Sequence, residues 1–328
     1  MEVKVFEELG AHWIELRNDD HFELLLCDVG AGLYRMKLDG KDLLIAEKDK
    51  RAWFKTSRQY GKTIGRIAGR IKDGDLFFEG KHYSLEKGEN GNTLHGGSAG
   101  YGYKKFDYSV SENEASVFVS FKVHSPALEG GFPGSVDTEV IYEVAKKEPR
   151  LKISYRSHSS CDTPLSLTSH CYFNLGGYQN VSNHSLFIAA EESTKYDAEQ
   201  IPLGFEKTPK DLDFSSLTPL KERLDAQDLL KSAAKGIDHA FLLLKQRDEA
   251  ALLESPLFSM KLYTDYPTLV CYALNYPEDG TELYTGFLEE PHSGLAMEPE
   301  FDILRKDEML CSKEKGQSRF IEYIFERK

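Results

Sequence analysis

Pro164-Leu165-Ser166-Leu167-Thr168-Ser169-His170-Cys171-Tyr172-Phe173-Asn174-Leu175-Gly176-Gly177 opens on alternating apolar and small polar residues and closes on an aromatic run and paired glycines. A period of two is the signature of a half-buried strand, and Asn174 with Gly176-Gly177 supplies the turn that ends it. The stretch therefore sets one imidazole, His170, at the end of a rigid element. Histidine is the side chain whose charge changes most easily near neutral pH, so a held imidazole is a good proton donor or acceptor. A single histidine taken alone is better explained by a structural hydrogen bond to backbone, and its meaning depends on the rest of the chain.

Outward from this stretch, strand signals dominate. Lys4 to Leu9, His12 to Arg17 and Phe22 to Cys27 are short runs split by polar turns, and Ser116 to Val123 and Leu151 to Arg156 alternate cleanly. Asp39-Gly40, Asp73-Gly74, Glu79-Gly80 and Asp279-Gly280 punctuate the chain as hairpin turns do. Seventeen Tyr and nineteen Phe suit a sheet-rich core and, equally, a sugar-binding surface. One helix is expected, with Pro219 near its start, Leu220, Leu224, Leu229 and Leu230 as its apolar residues and Gly236 as its stop. Asp238 would then enter a strand running to Leu244. The pattern predicts an all-β fold, a large antiparallel β-sandwich with very little helix. With no linker, repeat or compositional break in view, residues 1–328 are expected to form a single domain.

Composition narrows the function. A net charge of −13 and a pI of about 5.3 repel phosphate backbones and argue against nucleic acid or an anionic membrane as partner, whereas a neutral sugar is not penalised. The charged start, Met1 to Glu8, predicts no secretory signal, and the longest apolar runs are far too short to span a bilayer. Five scattered cysteines (Cys27, Cys161, Cys171, Cys271, Cys311) without a CxxC spacing fit reduced thiols in a cytoplasmic protein. A Cys171–His170 nucleophile is disfavoured, because adjacent strand residues point to opposite faces. The GxxxxGR pattern around Gly65 lacks the Gly-Lys-Ser/Thr ending of a phosphate loop, and no dinucleotide fingerprint or metal-spaced cluster occurs, so no cofactor and no metal are expected.

Four further stretches carry chemistry. Asn92-Thr93-Leu94-His95-Gly96-Gly97 puts a second imidazole before a glycine pair, where a backbone can approach a ligand closely. Gly65-Arg66-Ile67-Ala68-Gly69-Arg70 sets two arginines four apart among small residues, and Gly236-Ile237-Asp238-His239 carries an aspartate. Gly294-Leu295-Ala296-Met297-Glu298-Pro299-Glu300 ends an apolar run in a carboxylate, where burial would raise its pKa. In this order, with Gly131-Phe132-Pro133-Gly134-Ser135 between them, these landmarks resemble the aldose 1-epimerases, the galactose mutarotases, over about residues 60 to 300. The resemblance implies a two-sheet sandwich with an open cleft on one concave face, and interconversion of the α and β anomers of free aldohexoses such as galactose and glucose. By the same similarity, Glu298 is the base that takes the C1 hydroxyl proton and His170 the acid that protonates the ring oxygen. His95 would hydrogen-bond near the ring oxygen, and Arg70 and Asp238 would hold hydroxyl groups. Asn92 would either position a hydroxyl or support its loop.

The sequence departs from the family at three places. Ser169 stands for the usual asparagine before the histidine, and Phe106 falls where tryptophan is frequent. The segment after Glu298 is reduced to Phe301-Asp302-Ile303-Leu304. Glu300 falls where glutamine is usual and is the nearest rival to Glu298. Two other functions stay open. A hexose-6-phosphate 1-epimerase of the same superfamily would need extra cations, for which Lys62 and Arg66 are candidates, although solvated surface positions suit both better. A non-catalytic carbohydrate-binding β-sandwich would not need the glutamate–histidine pair. Glycoside hydrolysis needs two carboxylates flanking the bond, where these landmarks offer one glutamate and two histidines. A monomer and a homodimer are equally compatible with the sequence.

Overall fold

The computed structural model describes residues 1–88, 90–246 and 248–328. Two large antiparallel sheets form its body. One has nine strands, in the spatial order Asp107–Glu112, Ser116–Ser125, Val136–Ala145, Arg150–Ser159, Gln317–Arg327, Phe258–Thr264, Ala251–Glu254, Ser185–Ile188 and Thr218–Pro219. The other has seven: β1 (Leu44–Ile45), β2 (Tyr172–Phe173), β3 (Ala190–Tyr196), β4 (Pro202–Lys207), β5 (Asp238–Leu243), β6 (Thr268–Tyr272) and β7 (Leu295–Glu300). Their spatial order is β4-β3-β5-β6-β7-β2-β1. A five-stranded sheet built from Glu2–Glu8, Ala11–Arg17, Phe22–Cys27, Gly32–Leu38 and Lys41–Asp42 adjoins them.

Alternation decides which face is buried. Val117, Val119 and Phe121 of the nine-stranded sheet share one apolar core with Phe173, Phe241, Leu269, Leu295 and Met297 of the seven-stranded one. The rings of Phe173 and Tyr323 meet between the sheets at 5.1 Å. Residues one step along on β2, β5, β6 and β7 therefore point the other way. Cys171 belongs to the inter-sheet core, whereas His170 lines the opposite face, so thiol and imidazole do not meet. A second cluster, with Trp13, Tyr34, Trp53, Tyr60 and Tyr172, packs behind the loop that supplies Ser57 and Arg58. Trp53 is fully buried on the helix Lys50–Lys55 and donates its indole N–H to the Tyr60 carbonyl at 2.8 Å, which fixes that loop.

The expected helix after Pro219 is not continuous. Two short helices, Leu220–Leu224 and Gln227–Lys231, are separated where Ala226 is extended at φ −67° and ψ 120°. A continuous helix would carry Leu229 about 180° around the axis from Leu220. The break turns Leu229 back into the core and leaves Leu230 exposed. Among the described residues, α-helix is limited to these two segments and Lys50–Lys55. The Asp-Gly and Glu-Gly turn signals hold at Asp39-Gly40 and Glu79-Gly80, where both residues of each pair have positive φ.

Candidate active site

The exposed face of the seven-stranded sheet carries an open cavity of about 230 Å³. On β7, Glu298 and Glu300 face it while Leu295 and Met297 face the core. Tyr172 pairs with Ala296 and Phe173 with Leu295. Extending that antiparallel register by two residues sets His170 directly opposite Glu298. His170 Nε2 stands 3.4 Å from Glu298 Oε1, with both side chains almost fully buried. Two neighbouring strands continue the floor: Val270 pairs with Glu298, Tyr272 with Ala296, and Asp238 with Tyr272. His170 is pinned through its backbone, its N–H donating to the Lys62 carbonyl and its carbonyl accepting from Gly61 N–H. Its ring stacks on Tyr172 at 4.9 Å.

His95 approaches from a tight turn, with φ of 53° at His95 and 83° at Gly96. A Cβ on Gly96 would come within 2.4 Å of the Gly65 carbonyl oxygen, so glycine is required there. Gly69 N–H donates to His95 Nδ1 at 3.3 Å, which leaves Nε2 as the protonated nitrogen of the neutral ring. The two imidazoles meet edge to face at 5.4 Å. Asp238 Oδ2 accepts from Gln200 Nε2 at 3.0 Å and lies 3.8 Å from Arg70 Nη1. The remaining walls include Arg58, Tyr196, Tyr276 and Asp302. Arg58 is itself held by Glu289, which also accepts from the Tyr60 hydroxyl.

Electrostatics follow from burial. Desolvation pulls His170 down to about 4 and His95 well below the usual imidazole range, with His170 and Arg70 adding to the latter. Glu298 is pushed well above the usual carboxylate range, first by desolvation and then by the Asp238 charge. Asp238 is raised by burial against the opposing pull of Arg70 and Gln200. Glu298 Oε2 and His170 Nδ1 are buried without hydrogen-bond partners. Unpaired buried polar atoms are costly, and at the floor of an open cavity a hydroxyl of a bound ligand can reach these two.

The fold thus brings Glu298, His170, His95, Arg70 and Asp238 to one cavity. Asn92 is outside its lining: its Oδ1 accepts from Asp73 N–H at 2.8 Å, and its Nδ2 faces Glu199 at 3.4 Å. Lys62 and Arg66 are not solvated surface residues, nor do they line the cavity. Lys62 is fully buried, donates to the Phe54 carbonyl and sits over the Trp53 ring, and burial lowers its pKa to about 8. Arg66 is caged by Ser125 Oγ and the carbonyls of Ser125, Pro126 and Pro133. Gln200, Tyr272, Tyr276 and Arg58 were not singled out from sequence. Tyr272 had a signal, the alternation Thr268-Val270-Tyr272, whereas Gln200 is an isolated turn residue with none.

The aldose 1-epimerase family model matches residues 12–308. The chain belongs to the aldose 1-epimerase family. It is an enzyme of the isomerase class. The aldose 1-epimerase of Escherichia coli strain K12 is 31% identical over 305 residues, 88% of this chain and 85% of that one. The galactose mutarotase of Homo sapiens is 28% identical over 263 residues, 78% and 74% of the respective chains. The crystal structure of galactose 1-epimerase from Lactobacillus acidophilus NCFM superposes with a TM-score of 0.90 at 23% identity, covering 99% of this chain and 98% of that one. These relatives support mutarotation as the activity and the galactose mutarotase-like sandwich as the fold. Among the described residues, no helix is long and apolar enough to cross a membrane.

Proposed function

We propose that this aldose 1-epimerase interconverts the α and β anomers of free aldohexoses such as galactose and glucose by ring opening and reclosure. In this reading Glu298 takes the C1 hydroxyl proton, His170 protonates the ring oxygen, and reclosure on the other face of C1 reverses both transfers. The observation that carries it is the buried Glu298–His170 pair, 3.4 Å apart on the floor of an open cavity. One proton shared by the pair suffices. Ring opening passes the imidazole proton to the ring oxygen and the C1 hydroxyl proton to the carboxylate, a net shift from His170 to Glu298 in the direction in which burial lowers the first and raises the second. His95 donates from Nε2 to a sugar oxygen, Arg70 and Asp238 hold hydroxyls, and Asn92 supports the loop through Asp73.

The charge of the lining favours a neutral sugar over a sugar phosphate. Asp238, Glu298, Glu300 and Asp302 line the cavity, and the arginines that reach it are already faced by carboxylates, Arg58 by Glu289 and Arg70 by Asp238. A phosphate dianion would enter an acidic site. Polarimetry on fresh α-D-glucose and α-D-galactose in metal-free buffer tests the proposal. Accelerated decay to the anomeric equilibrium is expected, and its absence with both sugars would overturn the reading. Asp238→Ala removes an acceptor that Gln200 and Arg70 hold in place. KM is expected to rise about 10–100-fold, at least as much as kcat falls, as for loss of a hydrogen bond to a charged group. Steady-state kinetics on both sugars checks this, and an unchanged KM would remove Asp238 from substrate binding.

A further inference from the structure

Four carboxylates border the cavity, and three have partners. Glu298 faces His170, Asp238 faces Gln200 and Arg70, and Asp302 accepts from Leu304 N–H and Thr194 Oγ1. Glu300 is 5% exposed, and among the described residues its carboxyl group has no hydrogen-bond or ion-pair partner. It lies two residues from Glu298 on the same strand face, their Cα atoms about 6–7 Å apart. It also stands over Gly69, where a Cβ would approach its Oε1 to 3.5 Å. The groups around it are Glu298 on its own strand, Asp302 beyond it, Asp238 on β5, Tyr196 on β3, Tyr266 before β6, and Arg70 and His95 across the cavity. Arg70 is already faced by Asp238. Among the described residues, no three His, Cys, Asp or Glu side chains are arranged to hold a metal ion.

Two buried carboxyl groups this near each other do not both ionise easily, and whatever charge forms settles on the member with the better partner. That member is Glu298. We propose that Glu300 stands in the cavity as a neutral carboxylic acid, a hydrogen-bond donor that reads a sugar hydroxyl one or two ring atoms from the reacting C1. Desolvation and the Glu298, Asp302 and Asp238 charges all push its pKa upward, in keeping with that geometry. A donor at this place favours an aldose presenting a hydroxyl to it over an epimer that does not, and gives no advantage to an amino sugar. The proposal rests on Glu298 being the base.

Carbon-13 carboxyl NMR on the intact protein tests it directly, with Glu300 assigned by the signal lost in Glu300→Gln. A protonated Glu300 at pH 7 is expected, and an ionised one would overturn the proposal whether or not the protein turns sugar over. Kinetics supply the second arm. Glu300→Ala is expected to lose about 10–100-fold in kcat/KM, and Glu300→Gln, which keeps a donor, about tenfold less. Equal losses in the two variants would count against a donor role. So would a preference for 2-amino sugars that disappears in Glu300→Gln, because it would make Glu300 an anionic receptor. A protein inactive in polarimetry yet protonated at Glu300 would sink the mutarotase reading, and with it the role toward C1, while the neutral Glu300 would stand.

Discussion

Glu298→Gln is expected to lower kcat for anomer interconversion by about 10²–10⁴-fold, the usual contribution of one positioned proton acceptor, with sugar affinity changing far less. The substitution keeps the shape of the side chain opposite His170 and removes its basicity. Residual turnover would then depend on a protonated imidazole. Because burial holds His170 at about 4, that residue of activity should fall as pH rises through this value and be negligible at neutrality. Folding should respond in the opposite sense to activity. The Glu298 pKa is raised in the folded state, so its contribution to stability is fully present below the unfolded carboxylate value, about 4.3. That contribution is lost as pH climbs through the folded value. Glutamine cannot ionise, so the variant should melt no lower than the parent at pH 7 and gain on it as pH rises. Anomer exchange by NMR, sugar binding by calorimetry and a thermal melt check the three parts. A variant with near-normal kcat would remove Glu298 as the base, and a lowered melting temperature would attribute lost activity to folding.

Local signals in the sequence were enough for the sandwich, whereas the cavity residues were legible only through the resemblance carried by motifs scattered along the chain. The alternation of Ser116 to Val123 and Leu151 to Arg156 is a local property, and both became strands of the nine-stranded sheet. The pairing of His170 with Glu298 is not local. It depends on the register of β2 on β7, which joins residues more than a hundred positions apart through hydrogen bonds that no sequence period encodes. Lys62 and Arg66 read as solvated charges because nothing near them in sequence offers a partner. Their burial rests on remote or reversed chain, the Phe54 carbonyl for one and the 125–133 loop for the other. The helix after Pro219 failed for a related reason. The spacing from Leu224 to Leu229 is one residue off the helical stripe, and the core corrected it by breaking the helix rather than exposing Leu229. Asn92 sits beside the motif histidine in sequence but points back to Asp73, so proximity along the chain overstated its place in the site.

His170→Asn should cost a comparable 10²–10⁴-fold in kcat, roughly the contribution of one positioned proton donor, and its pH profile separates it from every structural explanation. In the parent, the working pair holds one proton between carboxylate and imidazole. Below about 4, His170 gains a proton while Glu298 is already protonated, so the base is blocked and activity falls. At high pH the pair loses its last proton, the acid is gone, and activity falls again, which gives a bell. Without the imidazole, the residual reaction needs only an ionised Glu298. Activity in His170→Asn should therefore rise with pH through the raised glutamate value and stay level above it. The stacking partner Tyr172 and the backbone bonds to Gly61 and Lys62 do not involve the imidazole nitrogens, so the strand that carries residue 170 should stay in place. Removing a buried group that resists protonation also relieves acid sensitivity. Between about pH 6.5 and 4 the unfolded chain binds a proton at His170 that the folded one refuses, which weakens folding as pH falls. Asparagine lacks that penalty. Stopped-flow polarimetry from about pH 3 to 10, with melts at both ends, measures these effects together. A bell-shaped profile that persists in His170→Asn would assign the acid to another group, with His95 the nearest imidazole at 5.4 Å.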